Sequence, residues 1–119
     1  MKLSDLAVAI YDVLRARVPA KRPELAYSEL VERLPAPFNK VEPDSATLAN
    51  ALGELVRACR AKGLPAISAM VVRHRDRVPG PGYYPAAHPD EAKDMAKAMI
   101  AWAVEVEKVR STTYPAEIE

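Results

Sequence analysis

Few residues of this 119-residue chain are of types that do chemistry: two histidines, His74 and His88, one cysteine, Cys59, and a scatter of serines and carboxylates. A general base needs an orienting partner, and His74 stands in "RHRDR", among arginines that disfavour its protonated form. Ser68 lacks the elbow motif that would expose a nucleophile. One thiol and two imidazoles fall short of a four-ligand zinc site, and a lone cysteine forms no internal disulfide. Cys59 continues the apolar side of a helix in "LGELVRACRAKG", where a thiol acts as a small buried hydrophobe. The carboxylate pairs Glu29/Glu32 and Glu105/Glu107 fall on helix surfaces expected to be exposed, as solubility charges. "PGPG" is proline-stiffened and lacks the spacing of a phosphate-binding loop. These readings point away from an enzyme and from any metal or cofactor.

What remains is ionic chemistry. The net charge is +1, but it is unevenly spread. Residues 57–77 carry Arg57, Arg60, Lys62, Arg73, Arg75 and Arg77 against Asp76 alone, whereas residues 89–119 lean acidic. A basic middle and an acidic end suggest one face with a preference for polyanions.

The elements that must position these charges follow from periodicity. Half the residues are hydrophobic and 28% are charged, which fits one globular domain over 1–119 with a core built mainly from aliphatic side chains. Ser4 caps a first helix with Leu6, Ile10, Val13 and Leu14 on one side. "YSELVERL" forms a second, capped by Ser28 and stopped by Pro35. Three prolines make "PAPFNKVEPDS" an ordered loop, pinned to the core by Phe38. Asp44 or Ser45 caps a third helix with Leu48, Leu52, Leu55, Val56 and Cys59 as its stripe, and Gly63 suits the left-handed position after it. "AISAMVV" reads as a buried strand, "RHRDRVPGPG" as a hairpin turn and "YY" as the return strand. Pro89 opens a long last helix over 89–110 with Met95, Met99, Trp102 and Val106 buried, and 111–119 is a loose tail. No apolar run reaches membrane-spanning length. Asp5 and Asp12 interrupt any signal-peptide core, so the chain reads as cytoplasmic.

Helix, helix, helix, strand, turn, strand is the order of a winged helix-turn-helix. The expected fold is α+β and mostly helical: a winged-helix-like core over 1–88 with a short β-hairpin, followed by the long C-terminal helix. "AIYDVLRARVP", "YSELVERL", "ATLANALGEL" and "GLP…MVV" followed by "GYY" resemble the winged-helix domain of the alkylguanine alkyltransferase and alkyltransferase-like family over residues 9–84. The resemblance implies a third helix that enters a DNA groove. The family's Cys-His-Arg centre is missing, since Ile67, Ser68 and Ala69 follow Leu64-Pro65, so it implies no alkyl transfer. The arginine that fills the gap left by a flipped base is replaced near Thr47 or Asn50.

Two functions are then expected. One is a non-catalytic module binding DNA or a nucleic-acid-associated complex. Thr47 and Asn50 would reach bases, while Arg57, Arg60, Lys62, Arg73, Arg75 and Arg77 contact phosphates. The other is a small phage- or mobile-element-borne regulator or inhibitor that engages an acidic protein partner. Ile100 and Val104 lie off the buried stripe of the last helix, which suggests a homodimer through it.

Overall fold

In a computed structural model, which describes residues 2–119, the chain opens with helix α1 (Asp5–Arg17). The Ser4 hydroxyl accepts from the Ala7 amide at 3.2 Å, as an N-cap should. Ser4 is itself held by Glu54, whose carboxylate accepts from the Ser4 amide at 2.9 Å and hydroxyl at 2.8 Å. A two-residue strand β1 (Leu25–Ala26) leads directly into α2 (Tyr27–Glu32). Ala26, not Ser28, occupies the cap position of α2. Glu29 makes this possible by accepting from the Ala26 amide at 2.8 Å, the carboxylate half of a capping box.

After a 3₁₀ turn at Phe38–Lys40, helix α3 (Ala46–Ala61) buries Leu48, Leu52, Leu55, Val56 and Cys59 as expected. Ser45 caps its start, accepting from the Leu48 amide at 3.2 Å. Its end is a Schellman motif: Gly63 has φ +69°, and the Leu64 amide reaches Cys59 O at 2.8 Å.

Residues 63–84 depart from the expected hairpin. Ile67–Met70 is a 3₁₀ turn buried throughout, and only Val71–Val72 is extended, as β2. It pairs in parallel with β1, Leu25 opposite Val71 and Ala26 opposite Val72. No return strand follows. Arg77 adopts φ 59°, its amide donates to Arg73 O at 2.9 Å, and the Arg73 amide donates to Val78 O at 2.8 Å. The turn thus closes on itself. Pro79 and Pro81 then offer no amide to a ladder, and Tyr83–Tyr84 opens helix α4 (Tyr83–Ala87).

The last helix, α5 (Met95–Arg110), starts later than Pro89. The Ala92 amide closes a turn onto His88 O at 3.0 Å, and Asp94 supplies the cap by accepting from Ala96 N at 3.1 Å. Val106 is buried as expected, but Met99 and Trp102 are only half-buried and Met95 is exposed. Trp102 Nε1 donates to Ala69 O at 2.9 Å, so α5 lies over the 3₁₀ turn. Residues 111–119 are no loose tail: Tyr114 and Ile118 are buried, and Tyr114 Oη donates to Pro65 O at 2.7 Å.

The result is α+β and half helical, with five α-helices and a two-stranded parallel sheet among the described residues. One continuous apolar core joins α1, α3, the 3₁₀ turn and α5. No helix is long and apolar enough to cross a membrane.

Candidate functional site

The six cations of the basic middle do not form one surface. Arg60 turns inward, where Nη1 meets Glu105 Oε2 at 2.7 Å and Nη2 donates to Ala87 O at 3.1 Å. The same Glu105 oxygen accepts from the Ala66 amide at 2.6 Å. Glu105 is only 5% exposed, which corrects its expected role as a solubility charge. Arg60 therefore ties α3 to α5 through Glu105, while its own side chain remains 42% exposed. The signal for this was present: Glu105 follows Ala98 and Trp102 and precedes Val109 at helical spacing on the core-facing side.

Arg73 is clamped by Asp76, Nη2 to Oδ2 at 2.6 Å and Nε to Oδ1 at 3.2 Å. Arg77 reaches Glu29 at 3.4 Å. Because the turn closes on itself, Arg73, Arg75 and Arg77 do not lie along an extended strand. Arg57, Lys62 and Arg75 are exposed and make no ion pair among the described residues. Thr47 and Asn50 are exposed on the first turns of α3.

Beside these α3 residues lies a groove of about 540 Å³ between α3, the 73–82 segment and the start of α2. That volume is within the range of binding pockets for small ligands and side chains. Its inner surface is formed by buried Leu48, Leu52 and Val56 of α3, Tyr83 of α4 and Ser68 of the 3₁₀ turn. Arg73, His74 and Asp44 also line it. Arg57 joins them, since its guanidinium lies 3.5 Å from where a Cβ on groove-lining Gly53 would stand. Arg57 and Arg73 belong to separate segments of the sequence; the fold sets both along one groove. Lys62 lies beyond the last α3 residue of the groove, Val56.

Two hydrogen bonds fix residues of the groove lining. Tyr27 Oη accepts from the Gly80 amide at 2.8 Å and so pins the 79–82 segment to α2. Burial pushes the Tyr27 phenol upward in pKa, against the Gly80 amide, so it stays a neutral hydroxyl. Behind the groove, Tyr83 Oη and His88 Nε2 are hydrogen-bonded at 2.8 Å. Burial raises the Tyr83 pKa and lowers that of His88, with Glu105 opposing the latter shift. Sequence reasoning missed this pair, because His88 read as a residue before a helix. Among the described residues no group of His, Cys, Asp and Glu is arranged to hold a metal.

Comparison with protein-family models, curated proteins and solved structures yields no match to this chain.

Proposed function

We propose that this protein is a non-catalytic interaction module, a regulator or inhibitor that grips an acidic segment of a protein partner in the groove beside α3. The observation that carries this reading is an apolar concavity of about 540 Å³ lined also by Arg73 and His74, with Arg57 alongside. Such a site suits a segment that inserts apolar side chains and sets a carboxylate against the guanidinium groups. Asp76 occupies Nε and Nη2 of Arg73, so an incoming carboxylate would meet the remaining Nη1 edge or displace Asp76.

Selection from a random peptide library tests it. Enriched peptides are expected to place an aromatic or aliphatic residue next to Asp or Glu. Their binding should weaken in Arg57→Ala/Arg73→Ala and vanish in Gly53→Leu, which fills the groove.

DNA binding is the second reading, favoured by Thr47 and Asn50, exposed on α3 as the third helix in chain order. The order of three helices is what this reading draws on, although a closed turn stands where a hairpin wing would be. Duplex binding at low salt that falls steeply with added salt, without peptide enrichment, would transfer the surface to nucleic acid.

A further inference from the structure

Two features of the groove have no use in the fold. Ser68 is 4% exposed, and its hydroxyl oxygen is buried with no hydrogen-bond partner in the protein. The carbonyl three residues back, at Pro65, already accepts from Tyr114 Oη at 2.7 Å. A buried hydroxyl left unpaired destabilises the state that contains it, so the arrangement calls for a partner that arrives from elsewhere. Gly53 sits in the interior of α3, where glycine is a poorer helix former than alanine. Nothing in the packing demands it, because the only atom a Cβ would meet there is the flexible tip of Arg57, at ordinary contact distance. What the missing side chain does leave is room, since Gly53 lines the groove.

We infer that the groove is a specificity pocket for an aromatic side chain with a polar tip, tyrosine or tryptophan, whose hydroxyl or N–H pairs with the Ser68 hydroxyl as that buried hydroxyl turns about χ1 toward the groove. This rests on the groove being the partner-binding surface proposed above and specifies what enters it. The ring would lie against Leu48, Leu52 and Val56, whose apolar surface matches the body of such a side chain. A serine hydroxyl can both donate and accept, so it suits a phenol or an indole. An aromatic residue of this kind brings large apolar area with one polar handle. The carboxylate beside it in the partner would then reach Arg57 and Arg73.

The test uses p-cresol and toluene as probes, titrated by NMR into the full chain while the methyl signals of Leu48, Leu52 and Val56 are followed. p-Cresol is expected to bind about tenfold more tightly than toluene, the gain of one buried hydrogen bond. In Ser68→Ala that preference should disappear while toluene binding remains, and the variant should melt no lower than the wild type. Gly53→Leu should lose both probes. Equal binding of the two probes to the wild type overturns the role of Ser68 and leaves the groove as a binding surface. A preference that survives in Ser68→Ala, or a lower melting temperature of that variant, has the same consequence. If neither probe perturbs the groove methyls, both this inference and the proposed function fall together.

Discussion

At residue scale, the polar groups inside the core predict more than those on the surface. Glu105 satisfies the Arg60 guanidinium and the Ala66 amide from a site that is 5% exposed. Glu105→Ala would leave both groups without a partner, and a loss of about 3 kcal/mol is expected in chemical denaturation. Arg60 is partly solvated, so Arg60→Ala should cost less than Glu105→Ala. His88 offers a pH dependence. Burial holds its pKa below the ordinary 6.5, so the unfolded chain takes up the proton more readily than the folded one. Stability is therefore complete above pH 6.5 and declines as pH falls through that value toward the lower folded pKa. Glu105 and Glu91 favour the charged imidazole, while Arg60 and Lys108 oppose it, which bounds the effect. Urea midpoints at about pH 7.5 and about pH 5.5 should differ more for the wild type than for His88→Gln. Equal differences would place the titration elsewhere.

At the scale of elements, the centre of the molecule is the run from the 3₁₀ turn into β2. Ile67, Met70, Val71 and Val72 are all buried, none more than 1% exposed, although only the last two are extended. Val71→Asp places an unpaired charge in this core and should destabilise by about 3 kcal/mol or more, read from a thermal melt. The turn that follows behaves oppositely. Its ion pairs, Arg73–Asp76 and Arg77–Glu29, are at least two-fifths exposed on both sides. Exposed pairs of this kind contribute about 0–1 kcal/mol each, so Arg73→Ala/Arg75→Ala/Arg77→Ala should melt close to the wild type while binding more weakly. Gly80 is the rigid point of the same segment. A Cβ there would stand 2.8 Å from Tyr27 Oη, so Gly80→Ala must displace the tyrosine and should disturb the groove without touching the basic turn.

For the whole molecule, the exposed apolar residues of α5 bear on assembly. Ile100 is 66% and Val104 49% exposed, on the side of the helix away from Trp102 and Val106. In an antiparallel pairing of two copies of α5 about its middle, Ile100 would face Val104 of the other copy and Lys97 would face Glu107. Apolar contact and charge then agree, and reversible dimerisation is expected by sedimentation velocity at micromolar concentration, abolished in Ile100→Glu/Val104→Glu, which sets like charges against each other across the pairing. Such a dimer would leave the groove open, because its lining comes from α2, α3, α4 and the 68–82 segment and not from α5.

Local signals in the amino-acid sequence were enough for those features that depend on neighbours within a turn or two. Ser4 as a cap, a cap at Asp44 or Ser45, Gly63 as the left-handed stop and the Leu48-to-Cys59 stripe are all set by hydrogen bonds and packing along one helix. Residues 66–84 could not be read this way, because β2 takes its partner from β1, with α2 and α3 intervening. A parallel pair needs such a crossover, whereas the local pattern could only suggest the nearest antiparallel return. The pairing of the cations was illegible for a related reason: charge counts along the chain do not reveal which guanidinium meets a carboxylate from another element. Arg60 and Glu105 are far apart in sequence, and only the docking of α5 on α3 brings the partly solvated guanidinium to the buried carboxylate. The groove too belongs to no segment. It exists because Tyr27 holds Gly80 across from α3, a contact between side chain and backbone that only the folded chain brings within reach.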